Sequence, residues 1–165
     1  MNNRRAYFIR HAKSSWADPT LKDFDRPLNK RGLRDGPNMA SKMKSVVDYV
    51  DLALCSPAVR TRATMSLFAN EITFGNIVFN KHIYHAWPDA LVQILQELDD
   101  DLKSIMVFGH NPGFTEVFNL FAKAPIANLP TCGIFELECR STWDDMDTTN
   151  TDARLLMYPK MFVRK

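Results

Sequence analysis

The stretch Ser104–Gly109, SIMVFG, is apolar on both faces and runs directly into His110-Asn111-Pro112 and an amphipathic segment. A strand that buries both faces belongs inside a sheet covered on two sides, the usual setting of parallel strands. The same strand-then-helix rhythm recurs along the chain. Strands are expected over Arg5–Arg10 (RAYFIR), Val50–Cys55 (VDLALC), Ile77–Asn80, Cys132–Cys139 and Arg154–Tyr158. Helices are expected over Lys30–Lys44, Pro57–Glu71, Pro88–Leu98 and Pro112–Lys123. Leu91, Ile94, Leu95 and Leu98 share one helical face, as do Phe114, Phe118 and Phe121, so both groups read as core. Ser56 is expected to cap the second helix, with Pro57 at its first position. Gly32, Gly36 and Pro37 weaken the pattern over the early turns of the first helix. This alternation implies an α/β fold, a three-layer sandwich whose largely parallel central sheet has about six strands.

A chain of 165 residues fits one domain spanning 1–165 and can bury a sizeable core. A formal charge of +2 is too small to point to nucleic acid or a membrane surface. No apolar run approaches the roughly 20 residues of a membrane span, and MNNRRAYFIRH has no apolar core like that of a secretory leader. Cys55, Cys132 and Cys139 are widely spaced in apolar surroundings and read as reduced core thiols. A cytoplasmic location is therefore expected.

Three of the strands end in chemistry. The first ends in Arg10-His11, the second in Ser56-Pro57 with Arg60 a turn further on, and the fourth in Gly109-His110-Asn111-Pro112. In open α/β sheets ligands sit beyond the carboxyl ends of the strands. Two guanidiniums and two imidazoles meeting there describe an anion site with a nucleophile. Guanidinium groups grip phosphate oxygens in forks, and the helix opening after Pro112 is expected to offer N–H groups to an anion. A histidine attacks only while neutral. Nearby cations would hold His11 neutral by opposing a further positive charge. No carboxylate cluster suits Mg²⁺, and His82 with His85 lacks further ligands for zinc, so no metal or other cofactor is expected.

The segments Arg10-His11-Ala12-Lys13, Ser56-Pro57-Ala58-Val59-Arg60-Thr61 and Gly109-His110-Asn111-Pro112 resemble the histidine phosphatase superfamily, the phosphoglycerate mutase-like branch 1, and within it the small SixA-like phosphohistidine phosphatases. Asp25-Arg26-Pro27-Leu28-Asn29 and Leu129-Pro130-Thr131-Cys132 agree with that likeness. The resemblance implies a phosphatase in which His11 takes the phosphoryl group covalently, while Arg10, Arg60 and His110 hold its oxygens. It also places Lys13, Ser14, Arg26 and Asn111 near the phosphate or the substrate rim; a solvated basic face is the other reading of Lys13, Ser14 and Arg26. Larger relatives have an acidic proton donor, and no position here clearly matches it. The candidates are Asp89 and His85, with Asp23 and Asp25 behind them. Asp89 also reads as a charge partner of its own helix N-terminus. Without an obvious donor and without a long lid insertion, the site suits phosphohistidine on another protein. A small phosphomonoester is the alternative substrate, and a non-catalytic phosphate-binding module the alternative function. Trp143–Asp152, WDDMDTTNTD, reads as an exposed acidic loop.

Overall fold

The computed structural model describes residues 3–163. Six strands form one mixed sheet: β1 (Arg4–Arg10), β2 (Tyr49–Cys55), β3 (Thr73–Phe79), β4 (Ser104–Gly109), β5 (Ile134–Cys139) and β6 (Thr151–Met157), in the order β3-β2-β4-β1-β5-β6. The pairs β3/β2, β2/β4 and β4/β1 are parallel. The pairs β1/β5 and β5/β6 are antiparallel. The four helices are α1 (Lys30–Lys44), α2 (Val59–Ala69), α3 (Pro88–Gln96) and α4 (Gly113–Phe121).

Alternation along the strands builds two cores, because successive side chains leave a strand on opposite faces. Ala6 and Phe8 point with Leu54, Val107 and Phe135 into a layer completed by Leu91 and Leu95 of α3 and Phe114 and Phe118 of α4. Tyr7 and Ile9 point the other way, with Ala53, Met106 and Phe108, onto Met39 and Met43 of α1 and Phe68 of α2. Phe8 stacks on Phe135 at 4.8 Å and meets the edge of Phe114 at 4.9 Å. Burying one such ring contributes about 2–3 kcal/mol. The three layers follow from these faces.

The early turns of α1 are regular despite Gly32, Gly36 and Pro37. The glycines are contact points. A Cβ on Gly32 would overlap the Lys13 carbonyl oxygen, and one on Gly36 would meet Leu67 of α2. The start of α2 differs from expectation. Its N-cap is Ala58, and Pro57 lies before it. Ser56 Oγ still accepts from Ala58 N–H at 3.3 Å just ahead of the helix, and it has a second partner, described below. The segment Lys81–Ile83, which holds His82, forms a short 3-10 turn shortly before His85. Trp143 is fully buried rather than exposed: its indole N–H donates to Leu102 O at 2.7 Å, and Met146 packs in the same core. The acidic residues around them had masked that anchor. Cys55, Cys132 and Cys139 are free and buried, and burial pushes the Cys55 thiol up to about 12. Among the described residues no helix is long and apolar enough to cross a membrane.

Candidate active site

Register brings the two histidines together. Arg10 lies opposite Gly109 across β1/β4, and Cys55 lies opposite Phe108 across β2/β4. The next residues, His11, His110 and Ser56, therefore emerge side by side. Their backbones continue the ladder: His11 N–H donates to Gly109 O at 3.0 Å and Ser56 N–H to Phe108 O at 3.0 Å. The rings of His11 and His110 have centroids 5.4 Å apart. Together with Arg10, Arg60 and the loop after β1 they line a cavity of about 240 Å³.

His11 is 7% exposed. Its Nδ1 lies 2.8 Å from Ala12 O. A carbonyl only accepts, so Nδ1 carries the proton and the neutral ring keeps a lone pair on Nε2. Burial lowers its pKa from the ordinary value to about 3, with Arg60, Arg10 and Arg26 adding to the effect and the Ala12 carbonyl opposing it. Desolvation thus outweighs the arginine charges that sequence reasoning put first. His110 is lowered to about 2, first by burial and then by His11, Arg60 and His85. Its Nε2 shares a hydrogen bond with Ser56 Oγ at 2.8 Å.

Arg60 is 3% exposed and reaches the cavity from the first turn of α2. Its Nη1 donates to Asp23 O at 2.7 Å and its Nη2 to Asp23 Oδ2 at 3.0 Å. Arg10 Nη1 donates to Leu129 O at 2.7 Å. Four buried side-chain nitrogens lack a hydrogen-bond partner among the described residues: Arg4 Nε, Arg10 Nε, Arg60 Nε and His110 Nδ1. Arg4 Nε still lies 3.0 Å from an Asp100 carboxylate oxygen. The other three all belong to this site. Buried polar groups are normally satisfied, and a tetrahedral oxyanion supplies acceptors of the kind these arginine donors lack.

A family model described as the histidine phosphatase superfamily (branch 1) matches residues 6–81, the span holding Arg10, His11 and Arg60. The chain belongs to the histidine phosphatase superfamily. It is 28% identical to a SixA protein of Agrobacterium tumefaciens, covering 82% of this chain and 90% of that one with a TM-score of 0.73. A SixA protein from Nakamurella multipartitia shares the fold at a TM-score of 0.84 and 20% identity, over 96% of this chain and 98% of that one. An uncharacterised chloroplast protein of Arabidopsis thaliana is 32% identical over 87% of this chain and 70% of its own length. The family match and the Agrobacterium likeness make the chain a SixA-like member and support phosphatase chemistry.

The remaining candidates of this SixA-like histidine phosphatase separate by position. Ser14 and Arg26 are buried, not solvated: Arg26 Nη1 donates to Ser14 Oγ at 2.7 Å, and its Nε and Nη2 bind Asp23 Oδ1 at 3.2 and 3.0 Å. Lys13 lines the cavity wall. Asn111 also lines the wall, but its amide is committed to holding loops. Nδ2 donates to Leu129 O, and Oδ1 accepts from Thr115 N–H and Oγ–H. It thereby fixes the carbonyl that aims Arg10. The N–H groups of Phe114, Thr115 and Glu116 are taken by His110 O, Asn111 Oδ1 and Pro112 O, so they do not serve an anion as expected.

Asp89 lies exposed in the first turn of α3 and does not line the cavity, in keeping with its reading as a helix-terminus charge. Asp23, ranked lower from sequence, is the acid the structure brings in. Burial raises its pKa, but hydrogen bonds from Tyr84, Arg26 and Arg60 overcome this and hold the carboxyl well below its usual range. It is a fixed anion that braces two arginines. His85 lines the cavity with Nε2 3.6 Å from Asp23 Oδ2. Its backbone has φ of 53°, a conformation uncommon outside glycine. Tyr84, whose hydroxyl donates to Asp23 Oδ2 at 2.6 Å, was not anticipated. Trp16, 72% exposed, lies over the Arg26 guanidinium at 3.5 Å and forms the outer rim. Among the described residues no group of three His, Cys, Asp or Glu side chains is placed to hold a metal ion.

Proposed function

We propose that residues 1–165 act as one domain that hydrolyses phosphohistidine on another protein, with His11 as nucleophile and without a metal or other cofactor. The observation that carries this reading is His11 itself: a buried neutral ring whose Nδ1–H is held by Ala12 O, leaving Nε2 unprotonated among Arg10, Arg60 and His110. Nε2 attacks phosphorus in line with the departing nitrogen. The new P–N bond forms as the substrate's P–N bond breaks, and the substrate imidazole leaves and takes up a proton. Arg10, Arg60 and His110 stabilise the equatorial oxygens as charge spreads in the transition state. Water then attacks the phosphohistidine at residue 11, releases inorganic phosphate and restores the neutral ring.

Asp23 is held ionised and is a poor proton donor near neutrality. His85 is the sequence candidate that lines the cavity, beside Asp23, and an imidazole carries both a donor and an acceptor nitrogen. The reading therefore assigns His85 to proton delivery. A phosphomonoester is the second reading, and its poorer leaving group would lean harder on His85. The test is turnover of a phosphohistidine protein or peptide against sugar phosphates and 4-nitrophenyl phosphate, with wild type, His11→Ala and His85→Gln, before and after EDTA dialysis. Phosphohistidine should be preferred, His11→Ala should be inactive on every substrate, and EDTA should change nothing. His85→Gln should hurt sugar-phosphate hydrolysis more than hydrolysis of phosphohistidine or of 4-nitrophenyl phosphate, whose leaving groups need less help. Ester preference would support the second reading, activity in His11→Ala would remove the nucleophile assignment, and a protein that binds phosphate without turnover would be a binding module.

A further inference from the structure

A second cavity, of about 400 Å³, opens beside the first and shares Arg10, Lys13 and Thr131 with it. Among the described residues its charged lining is wholly cationic: Arg10 from the end of β1, Lys13 from the loop after it, Arg31 from the first turn of α1, and Lys160 from the 3-10 turn Pro159–Phe162. Four separate segments of chain thus bring positive charge to one wall. Arg31 is partly offset by Asp35, at 3.5 Å. Among the described residues neither Lys13 nor Lys160 has a carboxylate within ion-pair distance.

The two cavities differ in charge balance. The first holds Asp23, which ties up Arg60 and Arg26. Among the described residues the second has no acidic side chain in its lining. A concave surface of one sign raises the local concentration of the opposite ion. A phosphoryl group seated against His11, Arg60 and His110 uses only the first cavity. Anything anionic attached to it would find the second across Arg10 and Lys13.

We infer that the second cavity is a subsite for a second anionic group, carboxylate or phosphate, carried by the substrate next to its phosphoryl group. On the phosphatase reading above, on which this inference rests, the substrates favoured are a phosphohistidine segment with acidic neighbours or a small bisphosphate. A lone phosphoryl group on a neutral carrier is disfavoured. Lys160 and Arg31 touch only the second cavity, so they can be changed without altering the phosphoryl cavity.

The experiment compares wild type with Lys160→Gln and with Arg31→Gln/Lys160→Gln at low salt. The substrates are 4-nitrophenyl phosphate, the bisphosphates of propanediol, butanediol and hexanediol, and phosphohistidine peptides with Asp/Glu or Asn/Gln flanks. Wild type should prefer doubly anionic substrates, and Lys160→Gln should cut kcat/KM for them by about three- to tenfold while leaving 4-nitrophenyl phosphate within about twofold. Preference for acidic flanks over bisphosphates assigns the group to protein carboxylates, and the reverse order assigns it to a second phosphate. Equal loss on all substrates, or no preference for a second anion, overturns the subsite and leaves the phosphatase reading intact. Calorimetry with methylphosphonate and butane bisphosphonate keeps the inference testable apart from turnover. If no substrate is hydrolysed, tighter bisphosphonate binding that weakens in Lys160→Gln supports the subsite while the phosphatase reading falls. Equal binding of the two phosphonates rejects the subsite as well.

Discussion

Mild acid should destabilise this protein through His11 and His110. Both rings have folded-state pKa values, about 3 and about 2, below that of an imidazole in an unfolded chain. The unfolded chain therefore binds protons that the folded protein refuses. Their contribution to stability is fully present above the unfolded value, near 6.5, and is lost as pH falls below it. At about pH 5 an unfolded histidine has gained about 2 kcal/mol from protonation relative to one kept neutral. Two such rings give about 4 kcal/mol, a large share of the roughly 5–15 kcal/mol that holds a typical domain together. The assay is urea unfolding at about pH 7 and about pH 5 for wild type and for His11→Gln/His110→Gln, whose side chains do not titrate. Wild type should lose about 4 kcal/mol more than the double variant over that interval. Equal losses in the two proteins would show that the folded rings accept protons as readily as unfolded ones, and the claim that burial keeps His11 neutral would be refuted.

Other substitutions probe the surrounding parts. Arg60→Lys keeps the charge but cannot grip both the Asp23 carbonyl and a phosphoryl oxygen through a planar fork; kcat should fall about 10²–10³-fold in steady-state assays, with the fold intact by circular dichroism. Asp23→Asn removes the anion that braces Arg26 and Arg60; KM should rise about tenfold, and product inhibition by free phosphate should weaken with it. Gly32→Ala drives a methyl into the Lys13 carbonyl and should cost about 1–3 kcal/mol in chemical denaturation, with a matching loss of activity as the loop after β1 shifts.

The framework was legible where patterns are local. SIMVFG reads as a buried parallel strand from its own residues, and it occupies the sheet interior between β2 and β1. The limits Lys30–Lys44 and Ser104–Gly109 match expectation, since apolar spacing and flanking polar residues mark both ends. The antiparallel pairing of β5 and β6 was not visible, because strand direction is set by long-range packing. At the site, the convergence of Arg10, His11, Arg60 and His110 could be anticipated from strand ends. The partnerships could not. Asp23 and Arg60 are separated by 37 positions in sequence, and nothing local says that one holds the other. Tyr84 gave no signal beyond standing next to His85. Ser56 looked like a helix cap because Ser-Pro commonly opens helices; its hydroxyl does accept from Ala58 N–H, but it also meets His110, and only the β2/β4 register explains that second contact.

The most direct test of the central claim is to trap the phosphorylated enzyme. The protein is mixed briefly with phosphoramidate, quenched in alkali and read by intact-mass and peptide mass spectrometry. The account predicts one phosphoryl group, stable to base and labile to acid, on residue 11 and absent from His11→Ala. A phosphoryl group on any other residue, or turnover in wild type with none trapped at any quench time, would contradict it.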